Sequence, residues 1–237
     1  ASLNPEGVVS FLQQEITELG KTRGICIGTA EECAPREPKG LDMLVTFELD
    51  SAELTPEARE NLAVLREQEV REAARILGAR DIFFLPYIDP YMEINGIARR
   101  IDIPLAGFAG AIDKYIRKIR PDLIITHGSN GEYGHPQHIY THKATRLALG
   151  NGHSQTALMS WSAWYAPFER ERVLNLDDKA DIIADISAWH DIKVAAALCH
   201  KTQHAMFLRN SGAPSVADMV WKTETFHIWQ GPMPDDL

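Results

Sequence analysis

The chain has 237 residues, 45% of them hydrophobic, enough for one large α/β domain or two small ones with a sizeable core. Its 33 acidic residues against 24 basic ones give a net charge of −9 and a pI near 5.5. Lys and Arg nowhere cluster among aromatics, which argues against nucleic acid as a main partner. No apolar run is long enough to span a bilayer and no basic-then-apolar leader opens the chain. The three cysteines, Cys26, Cys33 and Cys199, lack paired spacing, so a reducing, cytoplasmic setting is expected.

Apolar residues recur at spacings of three and four from Val8 to Leu19, predicting a helix that Gly20 stops. Gly24 to Ala30 (GICIGTA) reads as a buried strand, and Glu31 to Lys39 as a loop. Met43 to Leu49 alternates as a strand does. Leu54 to Gly78 follows as a long helix with Thr55 as N-cap, Pro56 in the first turn and Gly78 as stop. Asp81 to Asp89 (DIFFLPYID) is the next strand, Ala106 to Pro121 a helix ended by its proline, and Asp122 to Gly128 a strand running into glycines. Thr156 to Trp161 predicts another strand, and Lys179 to His200 another helix. Helices alternating with strands predict a mostly parallel sheet covered on both faces. A single domain over 1–237 is expected.

One segment stands apart. Thr126 to His142, THGSNGEYGHPQHIYTH, holds four of the nine histidines, three glycines, a proline and a glutamate. It starts at the end of a predicted strand and enters a helix near His135, with Pro136 in the first turn. In open α/β sheets, ligands bind outside the carboxyl ends of the strands. His135, His138 and His142, three and four apart, share one helix face. Imidazole is a common zinc ligand, and a catalytic zinc keeps an open position. Capping or surface histidines are the alternative; the strand end and the glycines favour a ligand site.

This segment resembles the second signature of the LmbE-like, or PIG-L, family of zinc-dependent N-deacetylases, which remove acetyl groups from N-acetylglucosaminyl and similar amides. Leu65 to Asp89 is similar to the family's middle segment, an Arg-x-x-Glu helix leading to a strand that ends in Asp. Leu198 to His204 is similar to its late His-Lys-(Ser/Thr)-Gln element, and Glu224, Thr225 and Phe226 to its closing strand. The resemblance implies a Rossmann-like three-layer α/β sandwich, Zn2+ as cofactor and an N-acetylated sugar or glycoconjugate as small-molecule partner. A homo-oligomer is compatible with it.

By the same resemblance, His138 would bind zinc, while His135 would stabilise the tetrahedral oxyanion or protonate the leaving amine. Tyr133 would point its hydroxyl at that oxyanion, and Arg66, Asp89, His127 and His200 would contact substrate. Asp89 and His127 are placed there by their position at the carboxyl ends of strands, where hydrogen bonds that hold a metal ligand are the alternative; for Arg66 the alternative is a solvated or ion-paired place in its charged helix. His142 is expected to pack or hydrogen-bond inside the fold. Two departures stand out. Family members open with a strand and Ala-His-Pro-Asp-Asp-Glu, which supplies two zinc ligands and the general base, whereas this sequence opens ASLNPEGVVSF. The expectation is that the motif and its strand lie upstream of Ala1; loss of the site is the alternative. The family's His-Pro-Asp-His reads His-Pro-Gln-His here, and Gln137 cannot hold His135 charged as an Asp would. The acidic tail Met233 to Leu237 is expected in solvent. Two other readings stay open: a homologue that binds a sugar without cleaving it, and an amidase acting on a thiol conjugate. A nucleotide-binding role is disfavoured because no GxGxxG follows the first strand.

Overall fold

β-branched and aromatic residues mark most of the strands, the polar Asn175–Lys179 being the exception. The strands are β1 (Gly24–Ile27), β2 (Leu41–Glu48), β3 (Asp81–Asp89), β4 (Leu123–Thr126), β5 (Ala157–Trp161), β6 (Ala163–Trp164), β7 (Asn175–Lys179), β8 (Ile182–Asp185) and β9 (Thr223–Gln230). The computed structural model describes residues 24–27, 41–48, 56–89, 100–166 and 174–232, with side chains from 62–87, 100–166, 174–209 and 211–232. The expected helix Val8 to Leu19, the loop Glu31 to Lys39, the cap Thr55, the tail Met233 to Leu237 and the side chain of Asp89 lie outside these residues.

Seven strands form one sheet in the order β3-β2-β1-β4-β5-β9-β8, and β6 pairs with β7 in a separate two-stranded sheet. Strands β1 to β5 pair parallel to one another. The last two reverse: β9 runs antiparallel to β5, and β8 to β9. The chain leaves β1 toward β2 and β3, then returns to β4 on β1's other side. The crevice between β1 and β4 is therefore the topological switch point. Ile27 pairs with Thr126, and Thr126 with Ser160, so the strands end flush. Parallel pairing also puts the carboxyl ends of β3 and β4, hence Asp89 and His127, on one edge of the sheet, as the sequence predicts.

Among the described residues the principal helices are α1 (Pro56–Ile76), α2 (Leu105–Ile119), α3 (Pro136–Leu149), α4 (His190–Ala197) and α5 (His204–Ser211). The two-residue period of the strands sorts them onto opposite faces. Leu85 and Phe83 of β3 pack with Phe108, Ile112 and Ile116 of α2 and Ala144 and Ala148 of α3. Ile82 and Phe84 point the other way and meet Val70 and Ala73 of α1, Leu77 just after it, and Ala196 of α4. Three layers result. Helix α2 stops at Ile119 because Arg120 takes a left-handed φ of 53°, and the helical region is disfavoured before Pro121.

One expected element is corrected. Lys179 to His200 is not a single helix but the end of β7, strand β8, a short 3-10 turn at Ser187–Trp189 and then α4. Ile182 and Ala184 are buried while Ile183 and Asp185 face out, a period of two that suits pairing with β9 and cannot serve a helix. A second strand, β7, went unrecognised, and it shapes the site.

Candidate active site

The chain leaves β4 at Thr126 and crosses the sheet edge through His127 to His135 before α3 begins at Pro136. Positive φ at Gly131 (61°) and Gly134 (82°) explains two of the glycines. The third serves space, since a Cβ at Gly128 would overlap the side chain of Asn175. The turn at Gly131–Gly134 is distorted, with Glu132 at φ 57° and ψ −74°, a γ-turn conformation that is rare and strained away from glycine. His135 is extended at φ −67° and ψ 120° and caps α3, with Pro136 inside its first turn.

This path gathers three buried side chains at the switch point. Glu132 Oε2 accepts from His127 Nδ1 at 3.1 Å and from His138 Nδ1 at 2.5 Å. Glu132 Oε1 accepts from the Gly128 N–H at 3.0 Å and from Asn175 Nδ2 at 3.2 Å. Burial alone would raise the Glu132 pKa, but the adjacent charge and hydrogen bond of His127 and those of His138 hold it far below the usual carboxylate range. It is an anion that only accepts. The rings of His127 and His138 stack at 3.9 Å, and His127 lies 6.0 Å from the Trp161 ring.

His135 and Tyr133 extend the cluster outward. The His135 ring is 4.4 Å from that of His138 and 5.7 Å from that of Tyr133, and Tyr133 is 60% exposed. His142 faces inward, its Nδ1 donating to the His127 carbonyl at 2.8 Å; burial lowers its pKa. That inward bond is the packing role its sequence position predicts. Gln137 is also turned away from His135. It is buried, with Oε1 accepting from the Ile101 N–H at 2.8 Å and Nε2 donating to Thr141 Oγ1 at 3.3 Å.

Arg66 and His200 meet where α1 packs on the residues after α4. Both are buried. Burial pushes the His200 imidazole down to about 4, opposed by Glu69 and reinforced by His204 and Arg66. Glu69 also accepts from the Thr202 N–H and hydroxyl at 2.9 and 2.7 Å.

Three polar residues of the site escape sequence reading. Glu132 sits in what reads as a flexible turn, while Asn175 and Asp178 belong to the unrecognised β7. Asn175 Oδ1 accepts from the Glu132 N–H at 3.0 Å. Asp178 accepts from the Ser129 N–H at 2.8 Å, from the Ser129 hydroxyl and from Ser160 Oγ at 3.1 Å. Both residues are fully buried, and together they clamp the loop from outside the sheet.

His127, Glu132 and His138 form a group able to hold a metal ion, their candidate ligand atoms all within 4.8 Å of one another. The profile of the family described as PIG-L, GlcNAc-PI de-N-acetylase, matches residues 27–149, just over half of the chain and the whole histidine segment. The chain belongs to the PIG-L family. Among its relatives is a 1D-myo-inositol 2-acetamido-2-deoxy-alpha-D-glucopyranoside deacetylase of Mycobacterium sp. (strain KMS), 30% identical over 125 residues, 44% of this chain and 41% of that protein. Another is a mycothiol S-conjugate amidase of Streptomyces coelicolor, 38% identical over 97 residues, 38% of this chain and 32% of that one. The chain thus matches well under half the length of these two curated relatives. The PIG-L chain also resembles the solved N,N'-diacetylchitobiose deacetylase from Pyrococcus horikoshii, at a TM-score of 0.58 and 15% identity, covering 94% of this chain and 92% of that one. Likeness at that identity establishes the shared fold. Among the described residues no helix is long and apolar enough to cross a membrane.

Proposed function

We propose that this protein is a zinc-dependent hydrolase that removes an acetyl or similar acyl group from an N-acetylglucosaminyl-type amide. The observation that carries the reading is the buried group of His127, Glu132 and His138 at the switch point of a PIG-L chain. An imidazole nitrogen is a donor zinc takes, and His138, buried with its Nδ1 on Glu132, leaves Nε2 to fit the ion. His138 would be its ligand from this segment. When bound, zinc supplies a Lewis acid for an amide carbonyl and for water.

The surrounding residues supply the rest. His135, beside His138 and only partly buried, donates an N–H to the oxygen that becomes negative in the tetrahedral transition state or a proton to the departing amine. Gln137 is occupied by Ile101 and Thr141 and, as a neutral amide, does not hold a charge on His135 as an Asp would. Tyr133, exposed at the mouth, offers its hydroxyl to the same oxygen. His127 presents its second ring nitrogen to substrate hydroxyls, and Asp89, Arg66 and His200 serve as further substrate contacts.

The test is acetate release from N-acetylglucosaminides by the purified protein. Release should stop with a chelator and return with zinc. His138→Ala should lose both zinc and activity, and His135→Ala should keep zinc while kcat falls about a hundredfold, the usual scale for one lost oxyanion donor. A zinc-loaded protein that binds the sugar without releasing acetate would make it a binding homologue instead. The similarity to a thiol-conjugate amidase gives a second reading, favoured if a thiol-conjugate amide is cleaved with higher kcat/KM than any acetamide.

A further inference from the structure

A carboxylate placed between Gly131 and Tyr133 looks like a solvated turn residue. Instead only 3% of the Glu132 side chain is exposed. Removing a carboxylate from water costs several kcal/mol unless donors replace the water, and here four do. Two of them, Gly128 N–H and Asn175 Nδ2, hold Oε1. The other two are the Nδ1 atoms of His127 and His138, both on Oε2. The strained backbone of Glu132 is fastened in turn, because Asn175 Oδ1 takes its N–H. The second proton of Asn175 Nδ2 goes to the Trp161 carbonyl at 3.0 Å, which ties this carboxylate to the end of β5.

An imidazole has two ring nitrogens, and in the neutral ring one carries the proton while the other carries the lone pair. A group that accepts only, set against Nδ1, puts the proton there and the lone pair on Nε2. We propose that Glu132 is the positioning residue of this centre: it holds the Nδ1 protons of His127 and His138, fixing both ring planes and presenting His138 Nε2 to a divalent metal. This rests on the reading of His138 as the metal ligand. Glu132 acts through the histidine and does not itself coordinate. Oε2 lies within hydrogen-bonding distance of both Nδ1 atoms, and Oε1 is taken by two N–H donors, so each oxygen already has two partners. Carboxylates that orient metal-binding imidazoles raise ligand basicity, and their loss typically costs 10- to 100-fold in metal affinity.

The experiment compares wild type with Glu132→Gln and His138→Ala, each first checked for native circular dichroism. Glutamine keeps the shape and one acceptor, so it preserves the fold better than alanine. In metal-free protein with 15N-labelled histidine, ring spectra at alkaline pH should show wild-type His138 protonated at Nδ1, its signals assigned by their loss in His138→Ala. In Glu132→Gln the ring should shift toward Nε2 protonation. Titration with zinc or cobalt(II) should then show Glu132→Gln binding one ion about 10- to 100-fold more weakly than wild type. Wild-type His138 protonated at Nε2, or unchanged metal affinity in Glu132→Gln, overturns the proposal. Metal loss in Glu132→Gln as complete as in His138→Ala also overturns it, by making Glu132 a ligand. Full metal affinity in His138→Ala would instead sink the reading of His138 as ligand, while the tautomer spectra still report whether Glu132 holds the Nδ1 proton.

Discussion

Helices α2 and α3 lie side by side on one face of the sheet and are buried in different ways. Helix α2 buries Phe108, Ala109, Ile112, Ile116 and Ile119, an unbroken apolar stripe at helical spacing. Helix α3 buries Tyr140, Ala144, Ala148 and Leu149, but also Gln137, His138, Thr141, His142 and Thr145. In its first turns packing gives way to hydrogen bonds, each needing a partner in place. The lesson is that α2 holds the fold while the start of α3 holds the site, within one shared apolar cluster.

The largest break in that comparison should come from Phe108→Ala. Phe108 is fully buried, so truncation should cost about 3–5 kcal/mol in urea denaturation while leaving zinc affinity near wild type. A parallel loss of zinc affinity in the folded protein would show that α2 also sets the site. Next comes Gln137→Leu, which keeps the bulk but strands the buried Ile101 N–H, at a cost of about 1–3 kcal/mol. If its stability matches wild type, the polar burial in α3 carries no energetic role at that position.

The smallest effect at neutral pH belongs to His142→Gln, and it should separate from wild type only in acid. Burial lowers the His142 pKa in the fold, so below the unfolded value near 6.5 the unfolded chain binds the extra proton first. Stability of the wild type should therefore fall as pH drops from about 6.5, more steeply than that of His142→Gln. Equal slopes in urea titrations across that range would mean that the imidazole is not held neutral.

Much of this was legible. Asp81 to Asp89 matches its strand end for end because its aromatic and β-branched residues alternate between two apolar layers. The spacing of His135, His138 and His142, with Pro136 after a glycine turn, was enough to set a helix at a strand end. The division of labour among them was partly legible too, since His142 does turn inward. What resisted reading were residues whose role depends on distant partners. Glu132 looks solvated until Asn175 and two histidines close on it. Asn175 and Asp178 lie in NLDDK, whose polar run gives no strand signal, and the alternation in IIAD was hidden by alanines that suit a helix equally well. Arg66 and His200, by contrast, are each legible as site candidates in the sequence, but their adjacency comes only from α1 packing against the residues after α4.

The clamp on the histidine loop also fixes an order of events during synthesis. Residues 128–132 are fastened by side chains that come 43 and 49 positions later in the chain. A ribosome that has released β1 through β5 has delivered the parallel half of the sheet, yet the loop above it still lacks Asn175 and Asp178. Sheet and site therefore mature separately: the polypeptide can collapse around its strands first, and the loop locks only when the stretch from 175 to 178 has emerged and folded back.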